Sequence, residues 1–172
     1  MLKPAQLYKD ELHQKTLEIF HNEKYMYFYG DSGYNTFEIP NDTTDQHFFC
    51  SVNENNEVLG FICYEVNRAS QSAYGFGAIS FVEGGSVEFA RDLKQAVFDI
   101  FLKYGLNRME WGCFVDNPAI RGYRKFIKRY GGKECGYRRQ ANILMDGKLH
   151  DSVTFEILRE EFKPWIERKE KE

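Results

Sequence analysis

Two periods of hydrophobicity organise this sequence. Ala78-Ile79-Ser80-Phe81-Val82 is short, apolar, and β-branched or aromatic at several positions, which predicts a buried strand. Glu83-Gly84-Gly85-Ser86 breaks it. From Val87, the residues Ala90, Leu93, Val97, Ile100, Phe101 and Tyr104 recur at spacings of three and four, which predicts a helix with one apolar stripe. Gly105 stands where a left-handed C-terminal cap is wanted, and Leu106 to Trp111 resumes as a strand. A strand entering a helix through a turn leaves N–H groups and the positive end of the helix dipole at one place, a ready anion site. A plain crossover whose glycines only permit the turn explains the same pattern.

Upstream, His47 to Val52 and Glu57 to Val66 flank Asn53-Glu54-Asn55-Asn56 and predict a β-hairpin. Arg68 to Ser72 reads as a turn, and Tyr74 to Val82 as a third strand. The chain opens with a predicted helix, Pro4 in its first turn and Leu7, Leu12, Leu17, Ile19 and Phe20 on its apolar face. The aromatic run Tyr25 to Tyr29, closed by Gly30-Asp31-Ser32-Gly33, falls at a helix end or bridge, and Pro40 to Asp45 is a polar loop. Downstream, Asp116-Asn117-Pro118 starts a helix whose stripe is Ile120, Tyr123, Ile127 and Tyr130, stopped by Gly131-Gly132. Tyr137 to Met145 and Ser152 to Leu158 read as strands joined by an Asp146-Gly147 turn. A charged tail from Arg159 places Phe162, Trp165 and Ile166 at helical spacing and frays at Glu170-Lys171-Glu172. The order predicts one mixed α/β domain over residues 1–172, with an N-terminal helical region (1–46), a sheet and core (47–158) and a C-terminal tail (159–172).

Composition narrows the function. A net charge of −3 gives no support for nucleic-acid wrapping. Aromatic residues at 16% are enough for a thick core plus a pocket or an interface. Cys50, Cys63, Cys113 and Cys135 fit no metal or redox spacing, and His21, His47 and His150 show no ligand spacing. No signal-peptide pattern or membrane-length apolar run occurs, so the expectation is a cytoplasmic protein with reduced thiols and no membrane partner.

From about Phe48 to Phe162 the sequence resembles the GNAT superfamily of acetyl-CoA-dependent N-acetyltransferases. Val58-Leu59-Gly60-Phe61-Ile62 is similar to the second strand of that family's hairpin. The strand, turn and long helix stand where its pyrophosphate loop lies, and Tyr104 to Glu110 is similar to its helix end and fifth strand. Asp116-Asn117-Pro118-Ala119-Ile120-Arg121-Gly122-Tyr123 looks like its Asn-x-x-Ala-Ile-x-x-Tyr helix, shifted by one residue at the Asn. Met145 to Lys148 and Ile157 to Phe162 resemble the amino-terminal and ribosomal-protein acetyltransferase branch. One departure stands out: Gly84 occupies the loop's basic or Gln position and Val87 its inner glycine, while Glu88 adds a negative charge.

The resemblance implies a central, mostly antiparallel mixed sheet flanked by helices, and acetyl transfer from acetyl-CoA to a primary amine of a small molecule or protein by direct attack. It implies that the strand through Ile79, Phe81 and Val82 binds the pantetheine arm, with an N–H near Phe81 or Val82 polarising the acetyl carbonyl. Gly84, Gly85, Ser86 and Val87 would take the pyrophosphate, Asn117 would touch the arm, and Tyr123 would protonate the leaving thiolate. Glu83 is the candidate base, and the face of Arg121, Arg124, Lys125 and Lys128 a candidate for the 3′-phosphate. Each has a plain alternative: Tyr123 as core, Asn117 as helix cap, Glu83 and the basic face as solvated surface. Tyr25 to Tyr29 and Tyr34 fit an acceptor pocket or aromatic core equally. Two rival functions share these features: a catalytically weak acyl-CoA-binding regulator, and an interaction module, homodimeric through the aromatic C-terminal strands.

Overall fold

The computed structural model describes residues 1–20, 22–29, 37–41 and 44–169. Its strands are β1 (Leu2–Pro4), β2 (Gln46–Val52), β3 (Val58–Asn67), β4 (Ser72–Ser80), β5 (Arg108–Phe114), β6 (Lys133–Ile143) and β7 (Leu149–Leu158). The helices are α1 (Lys9–Phe20), α2 (Met26–Tyr29), α3 (Val87–Leu102), α4 (Ile120–Tyr130) and α5 (Arg159–Lys169). The seven strands form a mostly antiparallel sheet in the order β1-β2-β3-β4-β5-β7-β6, with β4 and β5 parallel. The predicted mixed α/β architecture is the observed one. Contacts group the chain into two compact units, residues 1–15 with 37–109, and 16–36 with 110–172.

In the first unit, Asn53 closes the β2–β3 turn: its Oδ1 accepts from the N–H groups of Asn55 and Glu57, each at 2.9 Å, and Asn56 turns the chain at φ +63°. Pro4 is not in a helical first turn. Leu2–Pro4 pairs antiparallel with Phe49–Ser51 at the edge of the sheet, a place where proline's missing N–H costs little. A single 3-10 turn, Ala5–Tyr8, then leads into α1.

Helix α3 buries Phe89, Asp92, Ala96, Val97, Phe98, Ile100 and Phe101, whereas Ala90 is exposed. Phe89 rather than Ala90 meets the sheet, packing with Ile62 and Ala96 over Phe49, Leu59, Phe76 and Ala78. Buried Asp92 accepts from Ser51 Oγ at 2.7 Å, which satisfies a carboxylate that the apolar pattern does not foresee. The helix ends as its sequence predicts. Gly105 is left-handed at φ +65° and the Leu106 N–H reaches back to the Ile100 carbonyl at 3.1 Å.

In the second unit, Trp111 of β5 and Phe155 of β7 stack at 5.5 Å between ring centroids, with Tyr123 and Phe126 of α4 edge-on to Trp111. Tyr130 of α4 meets Phe162 and Trp165 of α5 at 5.6 and 4.6 Å, so the predicted tail helix docks through its aromatic residues. β6 and β7 begin earlier than their apolar runs, at Lys133 and Leu149, because strand pairing carries polar residues into the ladder. The Tyr25 to Tyr29 run forms a 3-10 turn followed by α2. The expectations for His21, Gly30–Gly33, Tyr34, Asp42, Thr43 and Glu170–Glu172 lie outside the described residues.

Gly60 is where α3 comes closest to the sheet. A Cβ there would overlap the Phe89 ring and sit 2.6 Å from the Ile79 carbonyl oxygen. Gly60→Ala is expected to destabilise the fold by roughly 1–3 kcal/mol through overpacking. A urea midpoint equal to that of the wild type would contradict this packing.

Candidate functional site

The predicted site residues fall into two groups, one in each unit. In the first, β4 is predicted to run to Val82 and ends at Ser80, although the Phe81 N–H still donates to the Leu59 carbonyl at 2.9 Å. Of the two expected carbonyl-polarising positions, Phe81 and Val82, that bond commits the Phe81 N–H to β3. Antiparallel pairing alternates, and Ile79 pairs with Phe61 in the same phase as Phe81 with Leu59. The N–H groups of Ser80 and Val82 therefore point away from β3, and among the described residues Val82 N–H meets Ser80 Oγ alone, at a long 3.4 Å. Ser80, unremarked in the sequence, thus carries an outward backbone position that Ile79 does not. Strand pairing phase is the signal, and it is invisible until the register is known.

The loop after β4 turns through two left-handed residues, Gly84 at φ +79° and Gly85 at φ +91°, with Gly85 N–H held by the Val82 carbonyl at 3.1 Å. The N–H groups of Gly84, Ser86 and Val87 have no acceptor among the described residues. Ser86 caps α3 by accepting from Phe89 N–H at 3.2 Å. Val87 is 83% exposed and leaves the mouth of the loop open despite its side chain. Glu88 is the obstacle. Its carboxylate lies on its own N–H and on the Ser86 hydroxyl, 2.8 Å away, and these bonds lower its pKa. Exposed Glu83 stands beside Gly84 at the entrance to this turn.

In the second unit, Asn117 is buried and its Oδ1 accepts from Ala119 N–H at 2.8 Å, while Ile120 N–H bonds to its carbonyl at 3.0 Å. The expected helix start at Asp116-Asn117-Pro118 is corrected: α4 begins at Ile120 with Ala119 as its N-cap, which makes no side-chain cap bond. Asn117 instead closes the turn before it, because its side chain reaches only the N–H two residues on. Asn117 also lines an open concavity of about 370 Å³ with Val115, Asp116, Pro118, Ile120 and Arg121. Arg121 is exposed at its rim, but Arg124 is committed to Glu134 at 2.6 Å, which removes it from the predicted basic face. The Tyr123 ring lies 5.8 Å from Phe155 and 6.3 Å from Trp111. Burial raises its pKa, helped by the Cys113 thiol, so the phenol holds its proton well into the alkaline range. Trp111 Nε1 is buried with no hydrogen-bond partner among the described residues. No cluster of metal-ligating side chains occurs among the described residues, and no helix there is long and apolar enough to cross a membrane.

Comparison of the fold with solved structures finds spermidine/spermine N-acetyltransferase SpeG from Vibrio cholerae, crystallised with manganese ions. It is 22% identical over 71% of this chain and 70% of that one, with a TM-score of 0.60. Two point variants of the same enzyme match similarly, one at 23% identity, 70% and 69% coverage and a TM-score of 0.60, the other at 22%, 70%, 69% and 0.61. No protein-family model matches the sequence, and no curated protein matches it. The chain has the fold of the GNAT superfamily, to which these neighbours belong.

Because Asn117 closes the turn before α4 with one hydrogen bond, Asn117→Ala is expected to lower stability without any ligand by about 0.5–1.5 kcal/mol. An unchanged melting temperature would show that its bond to Ala119 does not stabilise the turn.

Proposed function

We propose that the protein is an N-acetyltransferase that moves the acetyl group of acetyl-CoA to a primary amine. The observation that carries this reading is the junction between β4 and α3. N–H groups at Ser80 and Val82 that point away from β3 run into those of Gly84, Ser86 and Val87, which have no acceptor among the described residues, on a GNAT fold. These donors fit an amide-rich arm followed by a diphosphate, because both are rows of hydrogen-bond acceptors and the second is anionic. In the second unit, Asn117 and Arg121 line one concavity, and the resemblance to the GNAT family assigns both to cofactor binding.

Acetyl-CoA supplies an activated thioester. The chain's own residues then have three tasks. Val82 N–H stabilises negative charge developing on the acetyl oxygen, a role that needs a donor fixed before reaction. Glu83, directly or through water, accepts the proton that the amine nitrogen loses as it bonds to the acetyl carbon. Tyr123 gives its proton to the sulfur as the carbon–sulfur bond breaks, and its raised pKa keeps that proton available at neutral pH. The neighbours are named for spermidine and spermine acetylation, so a polyamine is the first acceptor to try, beside a peptide with a free amino terminus.

Glu88 favours a second reading, a regulator that binds acyl-CoA without transfer, since its carboxylate sits where the loop would meet a phosphate. Mass spectrometry of spermidine and of the peptide after incubation with acetyl-CoA separates the two. An acetylated amine supports the enzyme; binding with no product on any amine supports the regulator. With an acceptor in hand, Tyr123→Phe is expected to cut turnover by about 10²–10³-fold while keeping acetyl-CoA binding and stability. A normal rate in that variant would return Tyr123 to a packing role.

A further inference from the structure

Both ring nitrogens of His150 face carboxylates from different segments of the second unit. Nδ1 is 3.1 Å from Asp116 Oδ2, in the turn between β5 and α4, and Nε2 is 3.1 Å from both oxygens of Asp146, in the β6–β7 turn. The His150 side chain is only 10% exposed, and the Tyr27 ring of α2 closes one side of it edge-on at 5.6 Å. A neutral imidazole has one N–H and can donate to one of these carboxylates; the imidazolium donates to both. Asp116 immediately precedes Asn117, and the two line the same concavity with Pro118 and Arg121. Val115 N–H, one residue before Asp116, is pinned to the Asp151 carbonyl at 3.0 Å. The Asp116–Pro118 segment is also held from within, by Asn117 N–H on the Phe114 carbonyl at 3.0 Å and by the Asn117 bonds to Ala119 and Ile120, and His150 adds the link from Asp116 to the β6–β7 turn.

We infer that protonated His150 is a positioning residue that clamps Asp116 to the β6–β7 turn and so holds Asn117 and its neighbours in the shape that takes the ligand. The clamp stands on its own geometry; its consequence for acetyl-CoA rests on the function proposed above. Other groups in its surroundings are Lys148 beside Asp146, and Asp151 of β7, which Tyr137 and Arg139 of β6 face. Asp116 foremost, then Asp146, outweighs burial and raises the His150 pKa above the ordinary imidazole value of about 6.5. The clamp is thus fully present below that ordinary value and is lost as pH rises through the higher folded value. Ligand affinity should fall over the same range.

The test uses the full chain, with amide hydrogen exchange at Ala119 and Ile120 and calorimetric titration of acetyl-CoA. Both are run at about pH 6 and about pH 9, either side of the imidazole range. In the wild type, protection corrected for the intrinsic pH effect should be greater at the lower pH by about fivefold or more, the low end of ordinary coupling, and affinity should follow. In His150→Gln both differences should vanish. Asp116→Asn, which leaves the imidazole in place, should abolish them too and covers the case in which His150→Gln fails to fold. Equal protection at both pH values in the wild type, or pH differences that survive in these variants, would overturn the clamp. Altered protection with no acetyl-CoA binding at either pH would support the clamp and overturn the function proposed above.

Discussion

The backbone donors of the first unit depend on how β4 gives way to α3. The chain must leave a paired strand and start a helix within six residues, Phe81 to Ser86, and it does so through two left-handed positions that only glycine adopts without strain. Ser86 then satisfies one of the orphan donors at the start of α3, and Phe89 seats the helix on Gly60. The remaining N–H groups, at Gly84, Ser86 and Val87, stay without an acceptor among the described residues. Backbone donors are strong groups that require a partner, from water or from a ligand. The chemistry proposed for the protein follows from that requirement more than from any one side chain.

Glu88 shows how finely the balance is set. A carboxylate in the first turn of a helix is stabilising, so Glu88 is a good residue for α3 as a helix and a poor one for an anion site. The same carboxylate competes with phosphate for the dipole and repels it. The second unit shows a related economy. Its aromatic cluster of Trp111, Tyr123, Phe126 and Phe155 is a packing device that also desolvates the Tyr123 phenol and so keeps its proton on.

Much of the fold was legible because its signals are local. The Asn-rich hairpin, the Glu83–Ser86 break, the Gly105 cap and the Gly131-Gly132 stop each rest on turn chemistry within a few residues. What failed needed long-range partners. Pro4 looks like a helix start until β2 is present to pair with it, and Ala90 looks inward-facing until Gly60 and Ile62 of β3 seat Phe89 against the sheet. The site followed the same rule. The loop glycines could be read directly, but Ser80 and Val82 as outward donors required the β3–β4 register. His150 looked like an isolated histidine because its two carboxylates lie in another turn and on the far side of a hairpin turn.

The central claim is that the β4–α3 junction receives the diphosphate of acetyl-CoA through backbone N–H groups. Calorimetric titration of the full chain with acetyl-CoA, at low and at high salt, tests it most directly. The account predicts saturable binding at one site per chain, weakened by salt because the ligand's charge is screened, and tightened in Glu88→Gln because a competing carboxylate is gone. Binding that is absent at both salt concentrations, in the wild type and in Glu88→Gln alike, would contradict it.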